Sequence, residues 1–191
     1  MRPSFIEELM AAGRGVFGLL IGDRGASGYF DFSPRGLAGS FIAFLLVTAL
    51  NAYVPLFLGV ESAPGGITRA ILMVALLFGL QVLFSAIVLR QLKRMDGLLP
   101  YLVADNWATF FLTLISTALA AAGITGDAVL VVLGIIVIIV EINIARLVVT
   151  LSPLQIAMFL VAQLVGVSIG LALIGLIWPP PLDQLVELAT G

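Results

Sequence analysis

Residues 128–150 read AVLVVLGIIVIIVEINIARLVVT, a nearly uncharged, strongly apolar run that gives the clearest indication of the fold class. A helix needs about 20 apolar residues to cross a bilayer core of about 30 Å, and this run is long enough. Four similar apolar runs lie elsewhere between Leu37 and Trp178. The sequence therefore predicts an all-α, polytopic integral membrane bundle of five transmembrane helices. Only this run places an acid and a base together, Glu141 and Arg146.

The composition is typical of a membrane protein and excludes several classes of catalytic and metal sites. Of the 191 residues, 61% are hydrophobic and only 10% are charged, with a mean hydropathy of +1.21. The chain contains no Cys and no His, which removes thiolate nucleophiles, imidazole bases and the usual ligands of zinc, haem and iron–sulfur clusters. We therefore expect no catalytic residue, no metal site and no cofactor. Since there is no basic tract, we also expect no nucleic-acid partner.

The first 35 residues form a segment at the membrane interface. An amphipathic helix is predicted from Ser4 to Ile21, because apolar side chains recur at helical spacing and Ser4 with Glu7 fits a capping box. Such a helix lies either on the membrane surface or on the bundle, and the sequence leaves both open. The linker from Asp23 to Arg35 is predicted to be an interfacial turn that ends at Pro34, a favourable first helical residue.

Residues 36–179 are predicted to form the transmembrane domain, followed by a short external tail at residues 180–191. We place the third span from about residue 106, because Asp105 and Asn106 are typical helix caps and Trp107 is typical of the interface. Asp127 is expected to cap the fourth span. The predicted spans are about 37–58, 68–89, 106–124, 128–150 and 154–178.

Basic residues indicate the orientation. With five spans, eight of the nine basic residues fall on one side, and only Arg69 falls on the other. The positive-inside rule then places the N-terminus in the cytoplasm and the C-terminus outside a bacterial inner membrane.

Polar residues inside the spans form the candidate site. Glu141 lies roughly 12 to 14 Å deep in span four, and Gln81 and Gln163 lie at similar depths in spans two and five. We expect Glu141 to face the bundle interior toward Gln81 or Gln163, with Asn143 and Arg146 nearer the headgroups. The cluster is interpreted either as a proton- or cation-responsive site or as polar contacts that hold helices together.

Two glycine motifs are present. The pattern Gly13-x-Gly15-x-x-Gly18 matches a dinucleotide fingerprint, but no strand precedes it, so we reject that function. Gly166-x-x-x-Gly170 also contains a G-x-S-x-G match, for which the chain has no His base. The two glycines are better interpreted as a helix-packing motif, within the chain or in a dimer.

Two short elements resemble Yip1-like membrane proteins, in particular short bacterial members. One is the aromatic-Asp-aromatic element Phe30-Asp-Phe-Ser-Pro34 before the first span. The other is the stretch Glu141 to Gln155, in which an acidic residue is followed by Ile-Ala-Arg and a Ser-x-x-Gln helix start. The resemblance implies a five-helix protein of scaffold or trafficking-related type.

The leading hypothesis is a non-enzymatic scaffold, assembly factor or accessory subunit of a membrane complex. Its partners would be the bilayer and other membrane proteins or a second copy, with the N-terminal segment and the basic loop (Arg90, Lys93 and Arg94) as contact surfaces. The alternative is a small transporter or channel subunit in which Glu141 is a protonatable intramembrane site. A weaker option is a lipid-handling enzyme that uses Asp31, Asp96 and Asp105.

Overall fold

The computed structural model describes residues 4–57 and 65–179. The predicted end of the first span at Leu58, most of the following turn and the external tail lie outside these residues. The structure is 86% helical, which confirms the predicted all-α bundle. The helices are α1 (Phe5–Ile21), α2 (Pro34–Phe57), α3 (Gly66–Gln91), α4 (Leu98–Ala121), α5 (Asp127–Asn143) and α6 (Pro153–Ile177).

Five of the described helices, α2 to α6, are long and apolar enough to cross a membrane. The described chain alternates in direction through short connections, so the basic residues collect at one end of the bundle, here named the basic end. At the other end, here named the far end, Arg69 lies over the ring of Trp178 at 5.7 Å. Arg69 Nη2 also donates to the carbonyl of Trp178 at 3.3 Å, which ties α3 to α6.

The N-terminal helix α1 has the predicted capping box. Ser4 N donates to Glu7 Oε2 at 2.6 Å, and Glu7 N donates to Ser4 Oγ at 3.2 Å. The helix packs on α4 and α5, and its buried face includes Ala12, Val16 and Leu19. Its opposite face exposes large apolar side chains, so α1 meets the bundle on one side and its surroundings on the other. The exposed residues are Ile6, Met10, Phe17 and Ile21.

The predicted start of the third span is wrong. Helix α4 begins at Leu98, so Asp105 and Asn106 lie two turns inside the helix and are buried rather than capping it. Pro100 is compatible with this earlier start because the amide groups of a helix's first turn have no partner within the helix. Asp127 likewise makes no capping bond, and Gly126 occupies the cap position of α5.

Helix α2 packs along α4, and α3 packs along α6. Glycines permit the second contact: a Cβ atom at Gly166 would lie 2.9 Å from the ring of Phe84, and one at Gly170 would lie 2.6 Å from Leu77. The small-residue motif thus contacts α3 of the same chain.

The packed core lies at the basic end. It includes the last turns of α3 and α5, the first half of α4 and the start of α6. The far-end halves of the same helices expose most of their apolar side chains. A bilayer would surround that half, because apolar side chains are as well solvated by lipid as by protein.

Candidate functional site

A buried tyrosine joins three helices at the centre of the polar cluster. Tyr101 on α4 has no exposed surface. Its hydroxyl oxygen accepts hydrogen bonds from Gln81 Nε2 on α3 at 2.8 Å and from Gln163 Nε2 on α6 at 2.9 Å. The Tyr101 ring meets Phe159 edge-on, with centroids 5.0 Å apart. The two glutamines therefore share one layer of the bundle, and a residue that the sequence did not single out connects them.

One turn further along α4, Asp105 extends this network. Asp105 is 4% exposed, and its Oδ2 atom accepts from Gln81 Nε2 at 3.1 Å. Its carboxyl group also lies within hydrogen-bonding reach of the carboxyl group of Glu141 on α5. Glu141 was expected to face Gln81 or Gln163, but its polar neighbour is Asp105. We call Asp105 and Glu141 the carboxyl pair.

The carboxyl pair has no basic neighbour in the described structure. Its polar neighbours are Gln81 and Tyr101, and Glu141 Oε2 is buried without a hydrogen-bond partner among the described residues. Two ionised carboxylates cannot share a low-dielectric site without a compensating charge. The site therefore needs a proton or another cation.

Counting 1.5 Å per residue from the starts of α4 and α6, and from Val148 at the end of the π-helical turn that follows α5, places Asp105, Glu141 and Gln163 about 10 to 15 Å inside the bundle. This depth lies within the hydrocarbon thickness expected for a bilayer of about 30 Å. Ionisable groups at such depths are costly and are retained mostly where they act on ions or substrates.

A cavity of about 370 Å³ reaches the carboxyl pair from the far end. It lies between α2, α4 and α5, and Glu141 is part of its wall. The other polar side chains that line it are Asn51, Thr109, Thr113 and Ser116. A second cavity, of about 420 Å³, lies on the α2–α3 side and shares Asn51, Thr109 and Thr113 with the first.

The other predicted site residues lie apart from the pair. Asn143 Nδ2 donates to the carbonyl of Leu19 at 2.8 Å and so stabilises the last turn of α1. Arg146 is exposed in a π-helical turn, Ile144–Val148, that follows α5. Neither residue joins the cluster that contains Gln81, Gln163 and Glu141.

Within the predicted basic loop, the three side chains have different roles. Arg94 donates to the carbonyl of Val149 at 2.6 Å and to the carbonyl and hydroxyl of Thr150 at 3.1 and 2.8 Å. It thus closes the end of the π-helical turn. Arg90 and Lys93 are exposed.

A second acidic group is buried where α1 meets α2. Glu8 is 8% exposed, and its Oε1 atom has no hydrogen-bond partner among the described residues. A Cβ atom added at Gly39 would lie only 2.6 Å from Glu8 Oε1, so the carboxylate packs directly against this glycine. Burial raises the pKa of Glu8 above its ordinary value, Asp31 raises it further, and Arg35 opposes the shift.

The aspartates proposed for a lipid-handling enzyme do not assemble. Asp31 lies near Glu8, Asp96 forms a 3.4 Å ion pair with Arg94 at the surface, and Asp105 belongs to the carboxyl pair. No group of three or more acidic residues that could hold a metal ion occurs in residues 4–57 and 65–179.

Sequence periodicity contains a signal for the missed residues. Positions 101, 105, 109, 113 and 117 of α4 hold Tyr, Asp, Thr, Thr and Thr, each four residues after the last. Residues four apart lie on nearly the same helix face, so these five form one slowly turning polar stripe. Starting the span at residue 106 removed the first two members from the helix and hid the pattern.

No family model, curated protein or solved structure matches the chain. The site is therefore defined by its own geometry: two buried carboxyl groups, the polar partners Gln81, Gln163 and Tyr101, and a cavity whose wall carries both polar and apolar side chains.

Proposed function

We propose that this protein is a subunit of a membrane transport system in which the carboxyl pair takes up and releases a proton. The observation that carries the proposal is the contact between Asp105 and Glu141 inside the bundle without a basic neighbour. Two carboxyl groups this close, without a compensating charge, are most favourable when they share at least one proton. A pair that shares a proton titrates as a unit.

Three titratable groups face one another in the site, namely Asp105, Glu141 and Tyr101. The side chains that α3 and α6 contribute to the polar cluster are the amides Gln81 and Gln163 and the hydroxyl of Ser85. Amides donate hydrogen bonds without changing charge, so they can support either protonation state of the pair. Loss of the proton would leave two negative charges in one low-dielectric site and would favour entry of a cation or a change in helix packing.

The proposal includes an orientation. The basic end would face the cytoplasm of a bacterial cell, since Arg90, Lys93, Arg94 and Arg146 all lie there. The N-terminus would then be cytoplasmic and the C-terminus external. Five helices are few for a stand-alone carrier, so we propose that the protein works as an oligomer or within a larger complex.

Proton flux in liposomes tests this function. Wild-type protein should acidify or alkalinise the lumen under a K⁺ diffusion potential, as followed with an entrapped pH dye. Glu141→Gln and Asp105→Asn should lower the rate to that of protein-free liposomes, because each variant removes one of the two carboxyl groups that share the proton. Asp127→Asn is the matched control, since Asp127 is an acid on α5 at the far end.

Equal flux in wild type and both pair variants would contradict the proposed role of the carboxyl pair. Absence of flux in every sample would favour a second proposal, the Yip1-like scaffold or assembly subunit. The exposure of Arg90 and Lys93 supports that proposal, because both side chains are available to a partner. Arg94 is a poor probe of it, since reversing its charge would also break the contacts with Val149 and Thr150.

A further inference from the structure

We infer that the cavity between α2, α4 and α5 is a water-filled half-channel that leads small cations from the far end to Glu141. This inference rests on the proposed function, because a half-channel would supply cations to the carboxyl pair. It concerns, however, only whether the cavity is hydrated and from which end ions reach it. Its test therefore reads the cavity directly and does not require transport.

The cavity has the length that such a route needs. Its lining on α5 runs from Leu130, in the first turn at the far end, to Glu141 near the other end of the helix. The eleven residue-to-residue steps between them correspond to about 16 Å of helix. The cavity therefore joins the far end of the bundle to the depth of the carboxyl pair.

The wall on α4 and α2 suits water and cations. It carries the Asn51 amide and the hydroxyls of Thr109, Thr113 and Ser116. These groups supply oxygen ligands, and a cavity of about 370 Å³ has room for several waters. The hydroxyls of Thr109 and Thr113 continue the polar stripe of α4 that begins at Tyr101, so the chain places polar groups continuously from the pair outward.

The inner end of the cavity holds an acidic side chain, one oxygen atom of which is unpaired within the described structure. Glu141 lines the cavity, and its Oε2 atom has no hydrogen-bond partner in the part of the chain that the structure describes. The residues that line the cavity include no Lys or Arg. The α5 wall between Leu130 and Val140 is apolar, so the oxygen ligands available to a cation are those of α2 and α4 and, at the inner end, the carboxyl group of Glu141.

Beyond the pair, the path is closed. Tyr101, Trp107 and Phe159 are at most 1% exposed, and Leu89 and Ile144 are fully buried in the same core. Close-packed cores leave few spaces as large as a water molecule. The described structure thus connects the pair to the far end and separates it from the basic end, which is the arrangement of a half-channel.

Cysteine labelling tests the half-channel, and the chain suits the method because it has no native Cys. Gly134→Cys places a thiol on the cavity wall, where an added Cβ atom meets nothing within 4 Å. Thr113→Cys is a near-isosteric second probe on the α4 wall. Val131→Cys is the matched control, since Val131 lies one turn away on α5, is 61% exposed and is not part of the cavity lining.

Each variant is reconstituted in liposomes and treated with membrane-impermeant methanethiosulfonates, one cationic and one anionic. Protein inserts into liposomes in both orientations, so labelling of Lys93→Cys at the basic end measures the fraction of molecules whose basic end faces the reagent. We expect Gly134→Cys and Thr113→Cys to react from the far end at least about tenfold faster than Val131→Cys, because only a hydrated thiol ionises readily. The cationic reagent should react about tenfold faster than the anionic one, and Glu141→Gln should reduce that preference.

Two results would overturn the half-channel: cavity thiols that react as slowly as Val131→Cys, which indicates a lipid-filled groove, or equal labelling from both ends. Failure of the proposed function looks different. Rapid, cation-selective labelling without proton flux keeps the half-channel and removes transport, whereas flux without labelling keeps transport and removes this route.

Discussion

The basic end and the far end of this bundle are built from the same five spanning helices, yet they are packed differently. At the basic end, α1 adds a sixth helix, and a Cβ atom at Gly15 or Gly39 would lie 2.6 Å from a neighbouring side chain. Toward the far end, a Cβ atom at Gly134 or Gly175 would meet nothing within 4 Å, whereas Gly170 keeps the tight contact between α6 and α3. Burial follows the same division, since the hydrophobic core lies around the basic end.

The chain thus combines a tightly packed end with a more open one. In lipid, helices are held together by close packing and polar contacts rather than by removal of apolar surface from water. The basic end has both kinds of contact, including the Tyr101 hydrogen bonds and the Asn143 bond to α1. The far end has fewer and leaves room for two cavities. The carboxyl pair lies at the boundary between the two regions.

The largest effect should come from removing an aromatic side chain from the packed end. Trp107→Ala deletes a side chain that is 1% exposed and should lower the free energy of unfolding by about 3 kcal/mol, mainly through the cavity it leaves. Ile115→Ala, two turns further on α4 at a position that is 51% exposed, should cost less than about 1 kcal/mol. Unfolding by sodium dodecyl sulfate in mixed micelles measures both. Equal losses would show that the two ends are equally packed.

Adding one methyl group should have an intermediate effect, with opposite signs at the two ends. At Gly36, in the first turn of α2, a Cβ atom would clash with the backbone carbonyl of Asp31. Gly36→Ala should therefore cost about 2 kcal/mol, because backbone cannot move as a flexible side chain can. Gly134→Ala should be neutral or should stabilise α5 by up to about 1 kcal/mol. The same micelle titration compares them, and a destabilised Gly134→Ala would contradict the open far end.

The sequence predicted the helices of this bundle better than its site. Hydropathy located the five long apolar helices, though not the start of α4, and Ser4 with Glu7 located the start of α1, because both signals are local. The site depends on which faces of α3, α4, α5 and α6 meet, and no local pattern specifies that. Glu141 was noticed because it interrupts an apolar run, whereas Asp105 was assigned to a helix cap.

The error at Asp105 has a physical origin. A short polar side chain near Asn and Trp is typical of both a helix cap at the interface and a buried polar turn, and composition does not separate them. The four-residue spacing of the α4 stripe does separate them, since a cap has no reason to continue as Thr109, Thr113 and Thr117. The four-residue spacing of Gly166 and Gly170 predicted helix packing, but no such spacing marks Gly36. Gly36 and Gly134 are both helical glycines, and the structural difference between them is the Asp31 carbonyl beside Gly36.

The smallest expected effect is a pH dependence of α1, the helix that distinguishes the basic end. Burial raises the pKa of Glu8 in the docked helix, so the docked state binds a proton more tightly than the undocked state. Docking should therefore be strongest at low pH and should weaken as the pH rises above the ordinary glutamate pKa. Trp107 reports docking, because its ring lies 6.1 Å from that of Phe5 on α1. A Trp178→Phe background leaves it as the chain's only tryptophan.

The variant Glu8→Gln separates this group from the carboxyl pair, which also lies near Trp107 on α4. Gln keeps the shape of the side chain but carries no proton that titrates in this range, so its Trp107 fluorescence should stay constant over the pH range in which the wild type changes. The titratable and charged groups that face Glu8 are Asp31 and Arg35, and both remain in this variant. If the fluorescence of Glu8→Gln still follows pH, the signal comes from Asp105 and Glu141 instead. The proton-sensitive step would then lie at the boundary of the two regions and not in the helix that covers one of them.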